Sequence, residues 1–158
     1  MPASPPRRIL VAGVTGSGKT TLARSIADLL HLPHTEIDSL YHGPDWTPRE
    51  TFVDEVDALS SGPEWVTEWQ YRAVRPMLLA RADTLVWLDY PFRVSFWRVV
   101  RRTWRRARTR EVLWNGNTEP GMWHAITHTE GIIRWAFDTR NKLRSSMPGV
   151  VRAIPHLT

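Results

Sequence analysis

The chain has 158 residues, a formal charge of +5 from 21 basic and 16 acidic residues, 42% hydrophobic content and no cysteine. That size suits one domain with its own core, and the apolar content excludes intrinsic disorder. The missing thiols exclude cysteine nucleophiles, disulfides and thiolate-bound zinc. No uncharged apolar run in the sequence approaches the length of a membrane span. The opening MPASPP has adjacent prolines and no apolar run, so it reads as neither a secretory signal nor an anchor, and a cytoplasmic location is expected. Lys19 and Lys142 are the only lysines. The other basic residues are arginines, which read phosphate bidentately, although a GC-rich coding sequence would leave the same bias.

In chain order, RRILVAGVTGSGKTTLARSIADLL predicts a strand over 9–12, a glycine-rich turn and an amphipathic helix over 19–30. LPHTEID predicts a second strand ending at Asp38. Thr47, Pro48 and Glu50 have the spacing of a capping box and open a helix over 48–59, with Phe52, Val56 and Leu59 on one face. EWVTEW is a third strand, RAVRPMLLARA a short helix, and DTLVWLDYP a fourth strand running into Asp89. An arginine-rich helix starts after Pro91, the loop LWNGNTEPG follows, a long helix covers 129–145, and GVVRAI is a fifth strand. Strands alternating with helices imply an α/β fold: a five-stranded parallel sheet with helices on both faces, in one domain over 1–158.

The segment Gly13–Thr20, GVTGSGKT, matches G-x-x-x-x-G-K-[ST] between a predicted strand and a predicted helix. Glycines let the backbone curl so that its N–H groups face a phosphate chain. Lys19 reaches the β- and γ-phosphates, Thr20 offers a hydroxyl to Mg²⁺, and the helix dipole favours the anion. The expected ATP-binding set is Gly13, Thr15, Gly16, Ser17, Gly18, Lys19, Thr20 and Thr21, with Arg110 added from downstream. Three carboxylates, Asp38, Glu68 and Asp89, fall at predicted strand ends, where ligands bind in open parallel sheets. Thr20, Asp38 and Asp89 are the candidate metal ligands. Asp38 is equally a candidate base for an acceptor hydroxyl. In small-molecule kinases of this fold the third strand often lies beside the P-loop strand, which favours Glu68 as a catalytic residue. Each carboxylate has a structural alternative as a helix cap or a partner for arginine.

The six histidines are scattered; His124 and His128 have helical i, i+4 spacing but no H-E-x-x-H, so packing or solvation accounts for them. Trp46 and Trp69 fall in predicted loops at the ligand end, where each either stacks on a flat ligand or covers the edge of the core.

RVVRRTWRRARTR, Arg98 to Arg110, holds seven arginines in thirteen residues with no carboxylate. As a helix it presents Phe92, Phe96, Val99, Val100 and Thr103 inward and arginines elsewhere. A basic helix of this kind binds nucleic acid, stands as a solvated face, or closes over a triphosphate. Its place after the fourth strand of a P-loop domain favours a lid spanning about 98–122, with Arg102, Arg105 and Arg106 as catalytic charge stabilisers and Arg98 as surface.

GVTGSGKTTLA, IDSLYHGPDW, EWVTEWQY, DTLVWLDYPF and RRTWRRARTREVLWNGNTEP, in that order, resemble the adenylate-kinase-like P-loop proteins labelled FlaR-like, or DNA topology modulation, kinases, and especially an actinobacterial branch named AAA family ATPase. The resemblance runs from Ile9 to about Ile154. It implies a P-loop kinase core using ATP and Mg²⁺ through Lys19 and Thr20, with arginines 101–110 in a lid. Many relatives have Asp-Gly-Asn-Tyr where this chain has Glu68, Trp69, Gln70 and Tyr71, and the Asp-Gly-Phe-Pro-Arg motif of adenylate kinases is absent. The expectation is a Mg²⁺-dependent phosphotransferase of the nucleoside and nucleotide kinase type, taking a nucleotide and a small-molecule acceptor, with no membrane partner. The alternative from another class is a nucleic-acid-associated P-loop ATPase or NTP-binding regulator.

Overall fold

The computed structural model describes residues 5–118 and 132–154. At its centre, β1 (Arg8–Gly13) is apolar from Ile9 onward, with Ile9 to Ala12 buried, because both of its faces are covered. Ile9 and Val11 pack with Ala23 and Ala27 of α1 (Lys19–Leu30). Leu10 and Ala12 point the other way, into a larger core with Ile37, Phe52, Val56, Trp65, Leu78 and Met147.

Beside β1 run β2 (Trp65–Glu68) and β3 (Thr84–Leu88), both parallel to it, in the order β2-β1-β3. Val11 lies opposite Glu68 and Gly13 opposite Leu88, so all three strands end at one edge. The chain turns to one side of β1 and then to the other, which opens a crevice beyond the carboxyl ends. Around the sheet lie α2 (Ile37–Tyr41), α3 (Phe52–Ser60), α4 (Arg75–Arg81), α5 (Phe92–Thr109), α6 (Ile132–Asp138) and α7 (Lys142–Ala153), with short 3-10 turns at Pro44–Trp46 and Trp114–Gly116.

The described sheet therefore has three strands, not the five expected. The segment expected as a second strand makes one parallel bridge, His34 to Val66, with Val66 N–H donating to Pro33 and Thr35 N–H to Val66. Pro33 has no N–H to extend that ladder, and the chain coils into α2 at Ile37. GVVRAI, expected as a fifth strand, is the end of α7. There Leu143, Met147, Val150 and Ile154 recur at helical spacing and pack on the main core, which overrides the β preference of Val150 and Val151. The long helix expected over 129–145 is two helices, α6 and the start of α7; residues 129–131 and the pair His124 and His128 lie outside the described residues.

α5 buries Ser95, Val99 and Thr103 and packs against Ile133 and Ala136 of α6. It also abuts the glycine-rich turn. Gly16 has φ 79°, and a β-carbon there would lie 2.3 Å from Ser95 O and 2.5 Å from Val99 Cγ2. Left-handed backbone and backbone-to-helix contact together require glycine. Gly16→Ala is expected to cost about 2–4 kcal/mol of unfolding free energy through strain and overpacking, measured as a lower denaturant midpoint with unchanged slope.

Candidate active site

The glycine-rich turn leaves β1 and enters α1 through Gly18, whose φ of 92° places it in the left-handed region at the helix N-cap. Ser17 N–H donates to Val14 O at 3.1 Å. Among the described residues, the buried Ser17 Oγ has no hydrogen-bond partner. Lys19 is 9% exposed, and its Nζ donates to Val14 O at 3.2 Å. Burial pulls this ammonium down to about 8 from 10.5, against the opposing pull of Asp38 and Glu68; Arg102 and Arg75 push it further down. Lys19 thus sits among two carboxylates and two guanidiniums that come from four separate segments. Thr20 is half-buried at the second position of α1, and Thr21 is exposed.

Glu68, at the end of β2, is 1% exposed. Its Oε2 accepts from Ile37 N–H at 2.9 Å, and its Oε1 lies 3.4 Å from His34 Nε2. Burial, the largest influence, raises this carboxyl, yet the hydrogen bonds from His34 and Ile37 and the charge of His34 outweigh it, and the net direction is down. Glu68 consequently fixes the segment that delivers Asp38.

Asp38 Oδ1 accepts from Gln70 Nε2 at 3.0 Å and from Tyr71 Oη at 2.6 Å. Burial and the Asp38 carboxylate raise the Tyr71 phenol, so it remains a donor. Tyr71 Oη also lies 3.2 Å from His42 Nε2. Burial lowers His42, with Asp38 partly opposing. The result is a chain, Asp38, Tyr71, His42, running outward from the P-loop lysine.

His42 opens a loop whose turn is duplicated in the loop after α5. In 42–48, Gly43 N–H donates to Thr47 O, Thr47 N–H to Pro44 O, and His42 bridges Pro48; in 112–118, Leu113 N–H donates to Asn117 O, Asn117 N–H to Trp114 O, and Val112 bridges Thr118. Asp45 and Asn115 occupy matching left-handed positions, φ 54° and 55°. The two loops dock on each other. Asn117 Oδ1 accepts from Trp46 N–H at 3.1 Å, Asn117 Nδ2 donates to Gly43 O at 2.8 Å, and Asn115 Nδ2 donates to His42 O. Trp114 stacks on His42 at 5.9 Å and donates its indole N–H to Glu36.

Of the residues expected at the site, Lys19, Asp38, Glu68 and Arg102 come together. Asp89 is exposed and paired with Arg144 at 2.8 Å. Arg105 and Arg106 reach Glu111 at 3.3 and 3.6 Å, and Arg110 is the exposed left-handed C-cap of α5. Arg98, expected as surface, instead donates from Nη1 to Ser17 O at 3.3 Å and lies over Tyr90. The inward stripe of α5 holds for Val99 and Thr103, with Ser95 added and Phe96 and Val100 only partly covered. Trp46 is held by the loop after α5 and Trp69 is 4% exposed beneath Arg75, so neither is an open stacking platform. Gln70, Tyr71 and His42 were not singled out by sequence; the one available signal was their position just past a strand end and Asp38.

Two outcomes are expected. The unfolded chain holds the Lys19 proton up to about 10.5 and the folded chain releases it near 8, so this position adds stability as pH rises through that window. In Lys19→Met that gain, up to about 3 kcal/mol, disappears from denaturant titrations run at pH 7.5 and 10. Asn117→Ala leaves the Trp46 N–H and Gly43 O unpaired, costs about 2–3 kcal/mol, and raises amide exchange in 112–118 and at Trp46 while β1 stays protected.

No protein-family model matches the chain, and no curated protein sequence does. Among solved structures it is similar to a gluconokinase from Sinorhizobium meliloti, at 27% identity over 62% of this chain and 66% of that one, TM-score 0.48. A sugar kinase from a Janibacter species is similar at 27% identity over 60% and 66%, TM-score 0.42. The chain thus spans just under two thirds of the length of each. Shikimate kinase from Bacteroides thetaiotaomicron is similar at 17% identity over 92% of this chain and 82% of that one, TM-score 0.54. A likeness that extends over nearly the whole chain, together with the parallel sheet ordered around β1, shows an α/β fold like that of shikimate kinase.

Proposed function

We propose that this protein is a Mg²⁺-dependent phosphotransferase that moves the γ-phosphoryl group of ATP to a hydroxyl of a small acceptor. One observation carries the reading: the P-loop ammonium of Lys19 is brought into the field of Asp38, whose carboxylate is aimed by Gln70 and Tyr71. The orphaned Ser17 hydroxyl and the left-handed glycines of the turn fit a bound phosphate chain. The nucleotide-binding set is Gly13, Thr15, Gly16, Ser17, Gly18, Lys19, Thr20 and Thr21.

Among the described residues no group of three His, Asp or Glu forms a cation cage. Mg²⁺ bound through nucleotide phosphates needs only one or two protein oxygens, which Thr20 and Asp38 supply, with Asp89 available after release from Arg144. When bound it would neutralise charge on the β- and γ-phosphates. In the transfer, the acceptor oxygen bonds to the γ-phosphorus, the bridging P–O bond breaks, ADP leaves with that electron pair, and Asp38 takes the hydroxyl proton. Glu68 has both oxygens engaged and is best suited to positioning. Lys19 and Arg102 stabilise the charge on the phosphoryl group in flight, and Arg105, Arg106 and Arg110 add to it when the lid exchanges Glu111 for phosphate. The motif resemblance to adenylate-kinase-like proteins agrees with this assignment.

Lys19→Ala is expected to abolish acceptor-dependent ATP consumption across a panel of nucleosides, nucleotides and small alcohols. Asp38→Asn should lower kcat by about 10²–10⁴ at saturating ATP and Mg²⁺. A wild-type protein that consumes no more ATP with any acceptor than with water alone would sink the reading.

A second reading, a nucleic-acid-associated ATPase, draws on the outer face of α5, where Trp97 and Trp104 are 66% and 53% exposed and Arg108 lies over the Trp104 ring. Sub-micromolar DNA binding at physiological salt, with a steep salt dependence, would favour it over the lid.

A further inference from the structure

The imidazole of His42 is enclosed by four aromatic rings: Tyr41 at 5.0 Å, Trp46 at 5.1 Å, Trp114 at 5.9 Å and Tyr71 at 6.4 Å. Trp114, from the loop after α5, is the one stacked on its face, with 21° between the planes. The same loop holds the backbone here. Asn115 Nδ2 donates to His42 O, and Asn117 Nδ2 donates to Gly43 O at 2.8 Å. The docked loop therefore sets where this ring sits and how it is turned.

The two ring nitrogens meet different surroundings. Nδ1 is buried and, among the described residues, has no hydrogen-bond partner. Nε2 lies 3.2 Å from Tyr71 Oη, which gives its single hydrogen to Asp38 Oδ1 at 2.6 Å. With the proton on Nδ1, a buried N–H would lack an acceptor, and the Nε2 lone pair would compete with Asp38 for the phenol hydrogen. With the proton on Nε2 both conflicts vanish. Nε2 then donates to the phenol oxygen, the phenol hydrogen is left to Asp38, and bonds in such a series strengthen one another. Burial favours the neutral ring that this arrangement needs. Tyr71 and Gln70 both bond Asp38 Oδ1, which orients the carboxylate and presents Oδ2.

We propose that His42 is a positioning residue whose Nε2–H, donated to Tyr71, ties docking of the loop after α5 to the aim of Asp38. The role of Asp38 as the base rests on the phosphotransferase reading, but the tie between loop, imidazole and phenol is testable without turnover. A ring that served only as packing would work as well as phenylalanine. One that works through its N–H would not.

The unliganded full chain, with isotope-labelled histidine, is followed at pH 7.5 by proton–nitrogen correlation. The His42 signals are assigned by their absence in His42→Gln. A proton on Nε2, slowed in its exchange with water, is expected in the wild type and lost in Tyr71→Phe. It should also be lost or broadened in Asn117→Ala, which alters neither the ring nor its acceptor. A majority of the Nδ1–H form would overturn the proposal, as would an Nε2 proton indifferent to Asn117→Ala. With the most active acceptor of the panel, His42→Phe should lower kcat about tenfold and leave KM for ATP within about twofold, the loss of roughly one hydrogen bond. His42→Gln, whose side-chain amide carries an N–H near the place of Nε2, should recover most of that loss. Full activity in His42→Phe, or no recovery in His42→Gln, would reduce the residue to packing and overturn its positioning role. If no acceptor raises ATP consumption in the wild type, the phosphotransferase reading falls, and the Nε2 proton with its dependence on Asn117 still decides the tie between loop and phenol.

Discussion

The structure depends on how a buried ammonium is accommodated. Lys19 lies almost wholly out of water at the start of α1, and the fold compensates by drawing carboxylates toward it from two other segments. Each of these is held from behind: Glu68 by the backbone at Ile37, and Asp38 by the amide and phenol of Gln70 and Tyr71. The ends of β1 and β2, the start of α2 and the start of α4 are thus fixed relative to one point charge. A site built this way is organised before any ligand arrives, which is what the proposed transfer asks of a protein that contributes positioning and charge more than covalent chemistry.

A second theme is the use of one turn twice. The segments 42–48 and 112–118 share a pattern of backbone bonds and a left-handed residue at the same place, and they meet through side-chain amides that serve the other loop's backbone. Asn117 is nearly buried at this contact and satisfies groups on both sides. The loop after α5 reaches the site through His42, which touches Trp114 on one side and Tyr71 on the other.

Much of the fold was legible in the sequence because its strongest signals are local. The run ILVAG followed by a glycine turn specified β1 and α1, and LVWL specified β3. The strands expected at 32–38 and in GVVRAI failed for different reasons. The first contains a proline and flows into a helix whose placement depends on Glu68, thirty-one residues away from Ile37 in sequence. The second reads as strand by composition but as helix by spacing, and the core contacts of Leu143 and Met147 decided between them. At the site, the P-loop was visible as a motif, and Asp38 and Glu68 as acids at expected strand ends. Arg98, Gln70, Tyr71 and His42 have their roles only through contacts 29 to 81 residues apart along the chain, which no local pattern encodes.

The close approach of Gly16 to α5 bears on how the arginine helix is mounted. With no side chain between the turn and the helix backbone at Ser95, the first turns of α5 form a fixed mount, extended to Thr103 by the packing on α6. Beyond Thr103 the helix continues for six residues to Thr109, an overhang of about 9 Å. Among the described residues, its far end is held by the ion pairs of Arg105 and Arg106 with Glu111 and leads into the docked loops. A bend of about 15° near Thr103 would carry that end roughly 2 Å, the scale on which a guanidinium gains or loses a hydrogen bond. The arginine helix is thus built as a short cantilever, in which the lateral stiffness of one helical turn governs the segment that carries Arg105 and Arg106.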